Sequence, residues 1–130
     1  MCCFCSPCFP RQIYHGEEGF DLRFGSEGLW GKAIYFATDA SYSDNYSHRL
    51  PNGQRQMFLV QVVTGDSYTR PHDQETRKFT MPPVNPGATS ASLGDQVHYD
   101  TVSGCTNGTL VYMVYRNCQA YPAYLITYTV

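Results

Sequence analysis

Charge is scarce in this sequence. Asp, Glu, Lys and Arg make up 15% of its 130 residues, nine basic against eleven acidic, and the basic ones are scattered rather than gathered into a run. A dominant surface for nucleic acid or for an anionic membrane is therefore not expected. Long apolar runs are missing as well: none approaches the roughly 18 residues of a membrane-crossing helix, and the amino terminus lacks a basic region followed by an apolar stretch of signal-peptide length. The location to expect is cytoplasmic or nuclear. There is no Walker loop, no Gly-x-Ser-x-Gly elbow and no His-Glu-x-x-His pair, which leaves the common phosphate-cradling, serine-hydrolase and zinc-protease chemistries without a motif. The histidines His15, His48, His72 and His98 are dispersed.

What is present points to sheet. Hydrophobic residues reach 42%, while 11 Gly and 8 Pro spread along the chain argue against a helical bundle. The length suits one core. Arg11 to Tyr14 reads as one helical turn after Pro10, ended by Glu17-Glu18-Gly19, and Phe20 to Gly31 as a long loop. Ala33 to Ala37 is a strand, apolar on both faces and hence central. Thr38-Asp39 then caps a helix to about Ser47. After a turn over His48 to Gln54, Gln56 to Val63 forms a strand, and Asp66 to Asp95, broken by Pro71, Pro82-Pro83 and Pro86, reads as an excursion from the fold. Val97 to Val102 is a strand and Ser103 to Gly108 a turn. Leu110 to Tyr115 and Tyr124 to Tyr128 are strands, with Asn117 to Pro122 between them. The sum is about five strands and one or two short helices, an α+β domain in which sheet dominates.

The six cysteines are unevenly placed, with Cys2, Cys3, Cys5 and Cys8 crowding the start and Cys105 and Cys118 far along the chain. Cys5-Ser6-Pro7-Cys8 has zinc-knuckle spacing, but a tetrahedral site needs a second pair, which the sequence does not offer. Terminal cysteines in a cluster can also carry palmitate. The plainer reading is an atypical Cys-rich segment over 1–12 with free or buried thiols and no metal, followed by one domain over 13–130.

Chemistry concentrates at the end of the 33–37 strand. Tyr35 is followed at once by a helix on which Tyr42 and Tyr46 share a face by their i, i+4 spacing, with Ser43 beside them. Flat faces and a hydroxyl at the mouth of a sheet suit an aromatic amide ligand, and the same tyrosines would equally serve to pack the helix on the sheet.

These residues resemble a known family. Gly31-Lys32-Ala33-Ile34-Tyr35-Phe36-Ala37 followed by Ala40-Ser41-Tyr42-Ser43-Asp44-Asn45-Tyr46 looks like the NAD-binding signature of the poly(ADP-ribose) polymerase-like ADP-ribosyltransferases. Tyr99-Asp100-Thr101-Val102 and Gln119-Ala120-Tyr121-Pro122 through Tyr128 resemble later strands of its mono-ADP-ribosylating branch, so the likeness runs from about Ile13 to Tyr128. It implies the ADP-ribosyltransferase fold, a split and mostly antiparallel β-sheet with NAD as substrate in its cleft. It also implies release of nicotinamide, transfer to a protein or nucleic-acid acceptor, and no metal.

Carried over residue by residue, the resemblance puts Tyr35 at the nicotinamide ribose, Tyr46 on the nicotinamide ring and Ser43 at its carboxamide. Phe20 to Trp30, including Arg23 and Trp30, becomes the loop over the dinucleotide. His15-Gly16 is similar to the family's His-Gly pair at the adenosine ribose and nicotinamide amide, although Glu17 stands where the family has Thr or Ser. The surrounding IYHGEEGFD also resembles the segment after the family's first helix, and on that alignment the histidine strand would correspond to Met1 through Cys5. Val111 falls at the family's glutamate. Valine can neither hydrogen-bond a ribose hydroxyl nor act as a base, so the likeness implies single transfers. The alternative it leaves is a catalytically inactive domain acting as a structural or interaction module for a partner protein.

Overall fold

The computed structural model describes residues 2–3, 10–17, 19–89 and 96–130. In chain order its elements are β1 (Cys2–Cys3), α1 (Pro10–His15), β2 (Ser26–Gly28), β3 (Gly31–Ala37), α2 (Ala40–Asp44), β4 (His48–Arg49), β5 (Arg55–Val62), β6 (Ser67–Thr69), β7 (Val84–Thr89), β8 (Gln96–His98), β9 (Thr101–Thr106), β10 (Thr109–Val114) and β11 (Ala120–Tyr128). Single 3-10 turns stand at Leu22–Phe24 and Thr76–Lys78. The main sheet runs β11-β5-β1-β3-β10-β9-β6, with β2 added on β3 and β4 on β5. Its pairs are antiparallel except β6 with β9, and β7 with β8 forms a separate two-stranded ribbon. Among the described residues, Cys2–Cys3 lies between β3 and β5, paired with Ala37 and Phe36 on one side and Leu59 and Phe58 on the other. The sheet is thus split into two halves bridged by a two-residue strand. The Cys5 and Cys8 of the zinc-knuckle spacing lie outside the described residues.

The central strand explains both cores. Side chains alternate across a strand, so β3 sends Ala33, Tyr35 and Ala37 to one face and Ile34 and Phe36 to the other. The first set joins Trp30, Val102, Val111, Met113 and Tyr115 in one buried cluster. The second joins Ile13, Phe20, Phe58, Val60 and Val114. A strand covered on both faces must be apolar throughout, which is how the sequence reads at 33–37.

Several expected boundaries move. The 20–31 loop contains β2, which forms a hairpin with β3. The 66–95 excursion is not outside the fold, because β6 pairs with β9 and β7 with β8. The single strand expected at 97–102 divides into β8 and β9. The expected 103–108 turn shrinks to Asn107 and Gly108, both at positive φ (49° and 75°), while Ser103 to Thr106 stay in β9. Strand β11 begins at Ala120, so Pro122 lies within it. An edge strand tolerates a missing donor, and the register shifts beside it, between Pro122 and Tyr124. The described strands number eleven rather than about five, since tertiary pairing recruits segments too short for any periodicity to mark.

Helix α2 ends at Asp44, short of Ser47. Tyr46 N–H donates to Ser43 O at 3.0 Å and Ser47 N–H to Asp44 O at 3.2 Å, i to i+3 bonds that tighten the chain into a turn. Asp39 sits at the N-cap position but makes no side-chain cap bond; its Oδ2 accepts from Thr109 Oγ1 at 3.0 Å.

Candidate functional site

A cleft of about 540 Å³ opens where the β2–β3 hairpin faces α2. One wall is the hairpin, from Gly25 through Trp30, with the ring of Tyr35 below it; Thr106 and Val111 form the floor, and Tyr42 and Tyr46 the opposite wall. The size lies within the usual range for a small-molecule site, and the lining is largely aromatic and apolar. The Tyr42 and Tyr46 rings stand 5.7 Å apart at 45°, and Tyr46 keeps 42% of its surface exposed, a face available for stacking. Burial first, and a hydrogen bond to Tyr46 next, push the Tyr42 hydroxyl up to about 12, against a bond with Thr106.

The hairpin turn is held from several sides. Tyr35 Oη donates to Gly31 O at 2.6 Å and accepts from Trp30 N–H at 3.1 Å. Tyr115 Oη donates to Trp30 O at 2.6 Å, Thr76 Oγ1 to Leu29 O at 2.8 Å, and Trp30 Nε1 to Arg70 O at 3.0 Å. Gly28 passes so close to Tyr35 that a Cβ there would stand 2.7 Å from its Oη. The cleft wall is therefore built before any ligand arrives, which lowers the ordering cost of binding.

Burial pushes the Tyr35 hydroxyl up to about 12, and that of Tyr115 higher still. For a group whose folded pKa is raised above its unfolded value of about 10, stability is complete below pH 10 and lost as pH climbs through the folded value. A spectrophotometric phenolate titration should therefore find these two tyrosines ionising only together with unfolding, above about pH 11. Ionisation of Tyr35 and Tyr115 near pH 10 with the fold intact would contradict the hydrogen bonds of the turn.

Of the residues picked out in the sequence, Trp30, Tyr35, Tyr46 and Val111 line this one cleft, and Ser43 is fully buried on α2 beside them. Three others lie elsewhere. His15 is exposed at the end of α1 with its ring 4.6 Å from that of Tyr14, and Gly16 borders a different groove with Val62, Cys118 and Tyr121. The cause is the face of the sheet: Ile13 anchors α1 in the Phe36 cluster, whereas the cleft opens on the Tyr35 cluster. Arg23 borders a third cleft, with its guanidinium on Asp21. Sequence reasoning left out Thr106, having assigned it to a turn. The Asn107-Gly108 pair, the strongest short hairpin signal, could have confined the turn and returned Thr106 to its strand.

Comparison with known proteins bears on this geometry. The poly(ADP-ribose) polymerase catalytic-domain family model matches residues 15–130. The chain is 31% identical to the protein mono-ADP-ribosyltransferase PARP12 of Mus musculus, over 92% of this chain and 17% of that protein. It is 34% identical to a probable poly [ADP-ribose] polymerase of Dictyostelium discoideum, over 92% of this chain and 30% of that one. With the protein mono-ADP-ribosyltransferase PARP10 of Mus musculus the identity is 31%, over 88% of this chain and 12% of the relative. The chain thus spans at most 30% of the length of these three relatives.

Proposed function

Since the chain belongs to the poly(ADP-ribose) polymerase catalytic-domain family, we propose that its tyrosine cleft holds the nicotinamide end of NAD and that the domain transfers one ADP-ribose unit to a macromolecular acceptor, releasing nicotinamide. The observation that carries this reading is the convergence of Tyr35, Tyr42 and Tyr46 on one preformed cleft floored by Val111. The half-exposed Tyr46 ring takes the nicotinamide face by stacking, and the pinned Leu29-Trp30 turn fixes where the attached ribose lies. Val111 offers no carboxylate to orient the hydroxyl of a second ribose, so transfer stops at one unit.

Incubation of the chain with labelled NAD and candidate acceptors, read by gel and by mass, tests this directly. Single additions of ADP-ribose are expected, and polymer would overturn the assignment at Val111. A second reading is favoured by two observations: His15 is outside the cleft, and the upstream segment enters the sheet as Cys2–Cys3. On that reading the domain binds NAD without turning it over and serves as an interaction module. Titration of nicotinamide and NAD against the fluorescence of Trp30, the single tryptophan, separates the two, because binding without product supports the module.

The Tyr46→Ala variant should weaken nicotinamide by about 1–3 kcal/mol in the same titration, the scale of stacking a base on an aromatic ring. Tyr46 is exposed, so the variant should fold. An unchanged affinity would remove Tyr46 from the site.

A further inference from the structure

The segment that walls the tyrosine cleft also walls a second one. Residues 25–30 face the tyrosines, while Arg23 and Lys32, on either side of that stretch, line a separate cleft of about 650 Å³ with Thr80, Arg116 and Asn117. This second cleft carries three cations against one carboxylate, Asp21, in a chain whose net charge is −2. Arg23 is committed to Asp21 through Nε at 2.8 Å and a terminal nitrogen at 2.5 Å. Arg116 is more loosely held: its side chain is 69% exposed, Nε donates to Gln119 Oε1 at 3.3 Å, and a terminal nitrogen forms an ion pair with Asp100 Oδ1 at 3.5 Å. The Lys32 ammonium has no ion pair or hydrogen bond among the described residues, although Glu27 stands opposite it on β2. The scaffold beneath is fixed by Leu22 N–H donating to Asn117 Oδ1 at 2.8 Å and Lys32 N–H to Phe79 O at 3.2 Å, which brings the Thr80 segment alongside β3.

We propose that this cleft receives a phosphoryl group carried by a protein acceptor, held by Lys32 and Arg116 with the Thr80 hydroxyl. The proposal deepens the transferase reading and rests on it for the existence of an acceptor. A guanidinium and an ammonium that line one concavity suit a compact dianion, Arg through its planar fork and Lys as a point charge. A nucleic-acid strand would need a track of cations along its backbone, and the nine Lys and Arg of this chain are dispersed along the sequence rather than gathered into a run. Because the same hairpin borders both clefts, an acceptor anchored by its phosphate lies beside the ribose end of the donor site.

The test is fluorescence anisotropy with a labelled Gly-Gly-phosphoserine-Gly-Gly peptide. Saturable binding is expected, weakened by roughly tenfold or more in Lys32→Glu and retained in Lys32→Arg. The nicotinamide titration of Trp30 should be unchanged in both, so loss of one binding event is distinguishable from failure of the donor site. Should Lys32→Glu fail to fold, Arg116→Gln gives the same readout. Equal binding of the unphosphorylated peptide, or unaltered affinity in the folded charge variants, would overturn the proposal. Displacement by a thymidine octanucleotide at lower concentration than by phosphopeptide would replace it with nucleic-acid recognition. Displacement by inorganic phosphate as effectively as by the peptide would reduce it to a site for the free anion.

Discussion

Replacing Gly31 by alanine should cost the domain about 3 kcal/mol or more and lower its melting temperature by about 10 °C or more. Two penalties coincide there. Gly31 has φ +82°, a conformation that side-chain-bearing residues adopt only with strain, and a Cβ added to it would lie 2.0 Å from Phe79 O and 2.8 Å from Phe79 C and N. Those neighbours are backbone and cannot rotate away. The contact is also functional in its consequences, because Gly31 O accepts the Tyr35 hydroxyl and Lys32 N–H holds the Phe79 carbonyl. A shift of the turn therefore moves the cleft wall as well as the core. Gly53 supplies the control: its φ is +85°, but a Cβ added there would meet nothing within 4 Å. Gly53→Ala should show the backbone strain alone, about 1–2 kcal/mol. Equal melting temperatures for the two variants would show that the Phe79 backbone gives way and that Gly31 is not a fixed point of the cleft.

How much of this was legible depends on whether a residue's role is local. Strands β3 and β5 could be read because an apolar run covered on both faces and a long, mostly apolar run closed by Gly65 each carry their own signal. The tyrosine wall could be read because i, i+4 spacing fixes a common face. Strand β2 could not: Ser26-Glu27-Gly28 has no strand pattern, and the hairpin exists because hydroxyls from Thr76 and Tyr115, 47 and 85 residues away from their acceptors, tie the turn. Asp39 has the type and position of a helix cap, yet its carboxylate serves Thr109, a partner 70 residues distant. His15 was ambiguous for the same reason. Its His-Gly dipeptide is a local likeness, whereas the side of the sheet on which α1 packs is decided by Ile13 entering the Phe36 cluster.

Val111→Glu, which installs the residue type the family resemblance places there, should destabilise the domain by about 3 kcal/mol near neutral pH rather than create a polymerase. Val111 is 0% exposed, packed in the cluster of Trp30, Tyr35 and Tyr115, with Ala37 and Gly104 as its strand partners. A carboxylate at that depth is desolvated, and the side chains packed round it in that cluster are apolar or phenolic. Its folded pKa should rise above the usual carboxylate value of about 4.3. A raised carboxyl pKa works in one direction: the variant is at its most stable below about pH 4, where the side chain is neutral in both states, and loses stability as pH climbs through the folded pKa. Val111→Gln has nearly the same size and does not titrate, so the gap between the two variants isolates the charge. Melts from about pH 4 to 7 should start together and diverge. Parallel melts would mean that the carboxylate reaches the water of the cleft. In that case the floor is open enough to orient a ribose hydroxyl, and polymer on a gel becomes the outcome to look for.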